Sequence, residues 1–145
     1  MQNRYSEKKT KLRVKTVFIS DVHLGFPGCS ASFLLDFLRN VECEKIYLVG
    51  DIIDFLYMRK KVYWPQEHND VIRTLLGKAK HGTQVIYVPG NHDEPIRAHE
   101  DTVLGNVLIK NEIVHTSADG KRYLVLHGDQ FDSVVKNSQL LALLG

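Results

Sequence analysis

Three runs rich in β-branched and aromatic residues alternate with two stretches of helical apolar spacing, and that order admits few folds. Residues 14–20 (VKTVFIS), 45–49 (KIYLV) and 84–88 (QVIYV) read as strands. Between the first two, Ser30 is placed to cap a helix over residues 31–40, where Phe33, Leu34, Phe37 and Leu38 follow helical spacing. Between the second and third, Val71, Ile72, Leu75, Leu76 and Ala79 mark a helix over residues 67–80, and Gly82 is its stop. Strand, helix, strand, helix, strand implies right-handed crossovers and a parallel sheet. Downstream, residues 103–109 read as extended, and residues 112–116 and 122–127 as an antiparallel hairpin joined through Asp119-Gly120, a two-residue turn signal. Residues 51–66 mix apolar and basic side chains and fit neither period, and residues 133–144 end in the apolar helical run SQLLALLG.

A chain of 145 residues is long enough for one domain with a real core. Its net charge of +2 is too small to imply a nucleic-acid partner. The basic side chains concentrate in the first 15 residues, Arg4, Lys8, Lys9, Lys11, Arg13 and Lys15, against Glu7 alone. We expect residues 1–13 to be a disordered, solvated N-terminus, with weak attraction to anionic lipid as the sharper alternative. Cys29 and Cys43 form no CxxC pair, which points to reduced thiols in a cytoplasmic protein. The N-terminus has no apolar signal region, and no run approaches membrane-spanning length.

Each predicted strand runs into a polar cluster. The first leads to SDVHLG, with Asp21 and His23, and the second to GDIID, with Asp51 and Asp54. The third leads to GNHDE, with Asn91, His92 and Asp93; the last leads to HGDQFD, with His127, Asp129 and Asp132. In an open α/β sheet, ligands bind beyond the carboxyl ends of the strands, so these side chains are expected to converge. Carboxylate, imidazole and amide donors suit Mn, Fe or Zn, and differ from the thiolate set of a structural zinc site. An anionic Asp51 could bridge two such ions, and two metals about 3.5–4 Å apart can share a hydroxide and hold both the attacking and leaving oxygens of a phosphoryl displacement. Any one cluster alone is weak, since Gly-Asp after a strand is commonly a plain turn. Four in succession are not expected by coincidence.

The segments DVH, GDIID, GNHD and HGD resemble the calcineurin-like metallophosphoesterase superfamily. The resemblance implies an α/β/β/α sandwich, of which residues 14–145 would be the N-terminal part, a parallel sheet with an added antiparallel hairpin. It implies two divalent ions, Mn as the first choice and Fe or Zn as alternatives. Asp21 and His23 would bind the first ion, Asn91 and His127 the second, and Asp51 would bridge. His92 would be the general acid, oriented by Asp93, with Asp54 also behind the ligands. More narrowly, FISDVHLG, YLVGDIIDF, YWPQEHNDV, VIYVPGNHDE and DGKRYLVLHGDQFD are similar to the UDP-2,3-diacylglucosamine diphosphatase family. That similarity implies cleavage of a nucleotide-diphospho-lipid in lipid A biosynthesis, with peripheral contact at the inner membrane.

Two departures shape the alternatives. The lipid A enzymes of that family carry Arg after the Asn of the third motif, where this chain has His92, so a phosphodiesterase acting on another nucleotide is the competing substrate reading. The superfamily also supplies ligands from a downstream Gly-His-x-His. No His-x-His occurs here, and His68, His81, His99 and His115 stand apart from the motifs. On that basis the chain reads as truncated before its last motif, with a non-catalytic fragment and self-association through the apolar C-terminus as the expectations that follow. Trp64 reads as packing, and Arg59, Lys60 and Lys61 as a solvated face that could meet phosphate or lipid.

Overall fold

The structure, a computed structural model, describes residues 11–132. The expected SQLLALLG helix and most of the basic N-terminus lie outside the described residues. Strand β1 (Leu12–Ile19) is followed by α1 (Ala31–Asn40), β2 (Val41–Val49), α2 (Phe55–Met58), α3 (Gln66–Lys80) and β3 (Gln84–Val88). A short 3₁₀ helix (Glu94–His99) then leads to β4 (Val103–Leu104), β5 (Val107–Ile109), β6 (Ile113–Thr116) and β7 (Arg122–Val125). β1, β2, β3 and β5 pair in parallel, in the order β1-β2-β3-β5-β4, with β4 antiparallel at the edge. β6 and β7 form a separate antiparallel pair.

Alternation along the central strands builds a layer on each face. Ile46, Leu48, Val85 and Tyr87 join the core shared with Leu35 and Leu38 of α1 and Val71 and Leu75 of α3. Tyr47, Ile86 and Val88 point the other way and pack with Val125 and Ile113 of the hairpin. The sheet therefore carries helices on one side and the hairpin on the other, and all of its parallel strands present their carboxyl ends along one rim.

Several boundaries differ from the sequence reading. β1 begins at Leu12, so the limit drawn at residue 13 falls inside the strand; Lys11 and Arg13 both pair with Glu42 on β2, which gives this basic end a partner. On α1 the buried face is Ala31, Leu35 and Leu38, while Phe33 is 79% exposed, because the helix turns its Ala31 side onto its neighbours; Ser30 makes no side-chain cap hydrogen bond. The ambiguous stretch resolves into the single turn α2, capped by the Asp54 carboxylate, which accepts from the Tyr57 N–H at 2.8 Å. Residues 103–109 break at Gly105 and Asn106, both with positive φ, into two short strands. Asp119-Gly120 lies inside a longer loop, in which the Ser117 N–H donates to the Lys121 carbonyl, and is not a two-residue turn. No helix among the described residues is long and apolar enough to cross a membrane.

Candidate metal centre

The chain leaves β1 and β2 through left-handed residues. Asp21 (φ 53°), His23 (φ 56°) and Asp51 (φ 54°) all sit where L side chains are uncommon, though Asp and His tolerate this region better than most. Backbone pairing continues through the kinks: the Asp21 N–H donates to the Gly50 carbonyl at 3.1 Å, and the His23 N–H to the Asp51 carbonyl at 2.9 Å. The kinks thus redirect the side chains without releasing the two loops. Strain of this kind collects at functional sites.

Asp51 stands at the centre and is 5% exposed. Its Oδ1 accepts from the His92 N–H at 2.9 Å. Its Oδ2 lies 3.7 Å from His127 Nε2 and 4.0 Å from His23 Nε2, and His127 Nε2 is 3.9 Å from Asp21 Oδ1. These separations are too long for hydrogen bonds. They lie slightly above the spacing of about 3–3.4 Å that two ligands keep when each sits about 2.1 Å from one ion. Two triads result, Asp21–Asp51–His127 and His23–Asp51–His92, each with donor atoms within 4.8 Å of one another. A buried, shared carboxylate with imidazoles on either side is a donor set that fits two divalent ions.

Asp51 is common to both triads, in which His127 lies with Asp21, and His23 with His92, whose rings meet edge-to-face at 4.7 Å. Asn91 sits on the same loop and is exposed. Close approach explains two glycines. A Cβ on Gly50 would lie 2.1 Å from His127 Cδ2, and one on Gly90 would lie 2.4 Å from Asp51 Oδ1.

Carboxylates behind the imidazoles fix their tautomers. His23 Nδ1–H donates to Asp54 Oδ2 at 3.0 Å, and His92 Nδ1–H to Asp54 Oδ1 at 2.9 Å. His127 Nδ1–H donates to Asp129 Oδ1 at 2.8 Å, and Arg97 in turn grips both Asp129 oxygens at 2.8 and 2.7 Å. Each ring therefore turns its Nε2 outward. Burial works to raise the Asp54 pKa, and hydrogen bonds from His92, the Tyr57 N–H and His23 outweigh it, so the net shift is downward. Burial works to lower the His92 pKa, and the contact with Asp54 outweighs that, so the imidazolium is favoured.

The expectation that Asp93 orients His92 is corrected. Asp93 is fully buried and accepts from the N–H groups of Gly90, Asp51 and Ile52, the last at 2.8 Å, and from the Tyr87 hydroxyl. It locks the Gly50–Asp51 and Gly90–Asn91 loops together, while Asp54 orients His92. Arg97 and Tyr87 were missed by the sequence reading. A single Arg in a polar turn carries no periodic signal, and Tyr87 reads as core. Asp132 is exposed and outside the cluster. His68 accepts from the Gly25 N–H at 2.9 Å, and His115 meets the Tyr47 hydroxyl at 3.2 Å, so both are engaged away from the site.

Comparison with known proteins bears on this centre. A UDP-2,3-diacylglucosamine hydrolase of Photorhabdus laumondii is 30% identical over 79% of this chain and 48% of its own length. The hydrolase of the same name from Histophilus somni is 29% identical over 79% of this chain and 49% of its own length. The chain thus spans about half the length of these curated relatives. The solved structure of Pseudomonas putida nuclease MPE is 18% identical, with a TM-score of 0.40, over 65% of this chain and 46% of that one. The calcineurin-like phosphoesterase profile matches residues 14–143, which takes in all four strand-end clusters. The chain belongs to the calcineurin-like phosphoesterase family.

Proposed function

We propose that this chain carries the metal-binding rim of a hydrolase that cleaves a phosphoric or pyrophosphoric ester. The observation that carries the reading is the buried Asp51 carboxylate shared by two donor triads at the sheet rim. Asp21, His23, Asp51, Asn91 and His127 would hold two divalent ions, Mn²⁺ as the first choice; His92, though its ring belongs to one of the two triads, is assigned to proton delivery and not to metal. When bound, the ions would supply Lewis acidity to the phosphoryl group and to water.

The chain's own residues supply the rest. Hydrolysis breaks the bond from phosphorus to the leaving oxygen, adds the oxygen of water to phosphorus, and returns a proton to the leaving oxygen. His92 is suited to deliver that proton from Nε2, since Asp54 holds Nδ1 and favours the charged ring. Asp54 also sets His23, so one carboxylate aligns both a ligand and the acid. Asp129 and Arg97 do the same for His127.

The names of the relatives support UDP-2,3-diacylglucosamine as the candidate substrate. The second reading, a phosphodiester of another nucleotide, is favoured by His92 in the third motif. Turnover of UDP-2,3-diacylglucosamine and of bis(4-nitrophenyl) phosphate, measured with Mn²⁺ and again with EDTA, tests both. Mn²⁺-dependent cleavage of the lipid precursor supports the first, and cleavage of the diester alone supports the second. No turnover of either with Mn²⁺ overturns the hydrolase reading.

A further inference from the structure

A cavity of about 590 Å³ opens beside the metal centre, with His23, His92 and Asp54 on one wall. The rest of the lining is of another kind: Phe26, Leu56, Tyr57 and Lys60. Phe26 and Leu56 are 40% and 39% exposed, so large apolar groups face solvent next to a strongly polar centre. Phe26 meets Tyr57 edge-to-face at 5.2 Å, which fixes two rings at one corner. Lys60 is exposed and makes no ion pair among the described residues.

This lining is built by the same loops that build the centre. Phe26 follows His23 by three residues, and its N–H donates to the His23 carbonyl at 3.1 Å. A Cβ on Gly28 would lie 2.4 Å from Phe26 Cε1, so the ring lies close over a bare backbone. On the other side, the Asp54 carboxylate that orients His23 and His92 also caps α2 at Tyr57, and the Lys60 N–H donates to the Tyr57 carbonyl at 2.9 Å. One carboxylate therefore sets the position of the proton donor and of the apolar wall together.

We propose that this cavity is the leaving-group subsite, in which Phe26, Leu56 and Tyr57 receive an apolar body and Lys60 an anionic oxygen attached to it. The side on which the leaving group lies rests on the phosphoesterase reading, because His92 lines the cavity and would protonate the leaving oxygen. The substrate class is thus an ester whose leaving group is itself an acid with an apolar portion. That portion could be a planar ring or an alkyl chain, and the two are separable by experiment.

Binding comes first, in EDTA, with no demand on catalysis. Phenyl phosphate and octyl phosphate, followed by ligand-observed NMR, should each compete for this site better than inorganic phosphate. The tighter of the two identifies a planar ring or an alkyl chain. Phe26→Ala should weaken the better ligand, and Lys60→Gln should weaken it by about five- to tenfold, the range for a charge-assisted contact discounted for exposure. Lys61→Gln, a charge change outside the cavity, is the control for the general field. Equal weakening by Lys60→Gln and Lys61→Gln overturns the proposal, as does binding that Phe26→Ala leaves unchanged. A kinetic arm compares two nitrophenyl diesters in Mn²⁺, one with a carboxylate on the nitrophenol leaving group. Lys60→Gln should depress kcat/KM for the carboxylated ester more than for the plain one, and equal depression counts against the subsite. Failure of both esters to turn over in the unaltered protein would remove the hydrolase reading, while the binding arm would still decide whether the cavity takes an apolar acid.

Discussion

Asp51 and Asp93 are neighbouring buried carboxylates with opposite hydrogen-bond environments. Asp93 accepts from three backbone N–H groups and a tyrosine hydroxyl, so both oxygens face donors. In Asp93→Asn, either orientation of the amide turns an NH₂ toward those donors. The expected loss is about 3 kcal/mol of unfolding free energy in urea, in line with buried polar groups left unsatisfied. Asp51→Asn should behave differently. Asn also tolerates the positive φ, and its amide oxygen can still accept from the His92 N–H, so the fold should persist. Charge to offset two cations would be gone, and elemental analysis should find most of the bound Mn²⁺ lost. Unchanged metal content would sink the bridging assignment. His92→Gln should retain metal and lose about 10²–10⁴-fold in rate on esters of poor leaving groups. The deficit should shrink with nitrophenol, and an equal deficit on all esters would assign His92 to binding.

Short elements carry these side chains, and their connections set the consequences. The 3₁₀ helix Glu94–His99 delivers Arg97 to Asp129, which lies beyond β7, so two loops distant in sequence meet behind His127. Burial works to raise the Asp129 pKa, and Arg97 and His127 outweigh it, so the carboxyl titrates below its ordinary range. A depressed carboxyl adds stability above its unfolded pKa and loses that contribution as pH falls through the folded pKa. In Arg97→Gln the acid-sensitive contribution should be smaller and its loss complete at a higher pH, and Mn²⁺ affinity by calorimetry should fall about 10–100-fold. Arg97→Lys should recover part of both, and unchanged affinity in Arg97→Gln would show that Asp129 orients His127 unaided. The same elements mark what the sequence discloses. Central strands that bury both faces announce themselves as apolar runs, and their polar ends follow directly. Which carboxylate serves which imidazole does not: Asp93 adjoins His92 in the chain, yet its side chain turns to backbone amides while Asp54 reaches His92 from another loop. Nor does apolar spacing settle which side of α1 is buried, because Phe33 and Leu35 both fit a helical stripe and only packing chooses between them.

At the scale of the molecule, the centre is a junction. Its side chains come from the loops after β1, β2, β3 and β7, so they tie the central sheet to the hairpin layer that packs on it through Val125, Tyr47 and Ile86. An ion held there can bind only when both layers are in place, and binding to the folded state alone stabilises it by mass action. Three protein donors suffice to hold a divalent ion if water completes its shell. At a free Mn²⁺ concentration 100 times Kd the gain is about 2.7 kcal/mol. For a chain of this size each kcal/mol raises Tm by about 2–4 °C, so the unfolding midpoint should rise by about 5–10 °C. Asp51→Asn should abolish the rise, since that carboxylate belongs to both triads. Val125→Ala, which loosens the hairpin from the sheet without touching a donor, should lower the metal-free midpoint. It should also require more Mn²⁺ for the same rise, because part of the binding energy would go into docking the layers. Calorimetry across a Mn²⁺ series decides the matter: an equal rise in Asp51→Asn would place the ion elsewhere, and an unaltered Mn²⁺ requirement in Val125→Ala would mean that the hairpin does not help to form the site.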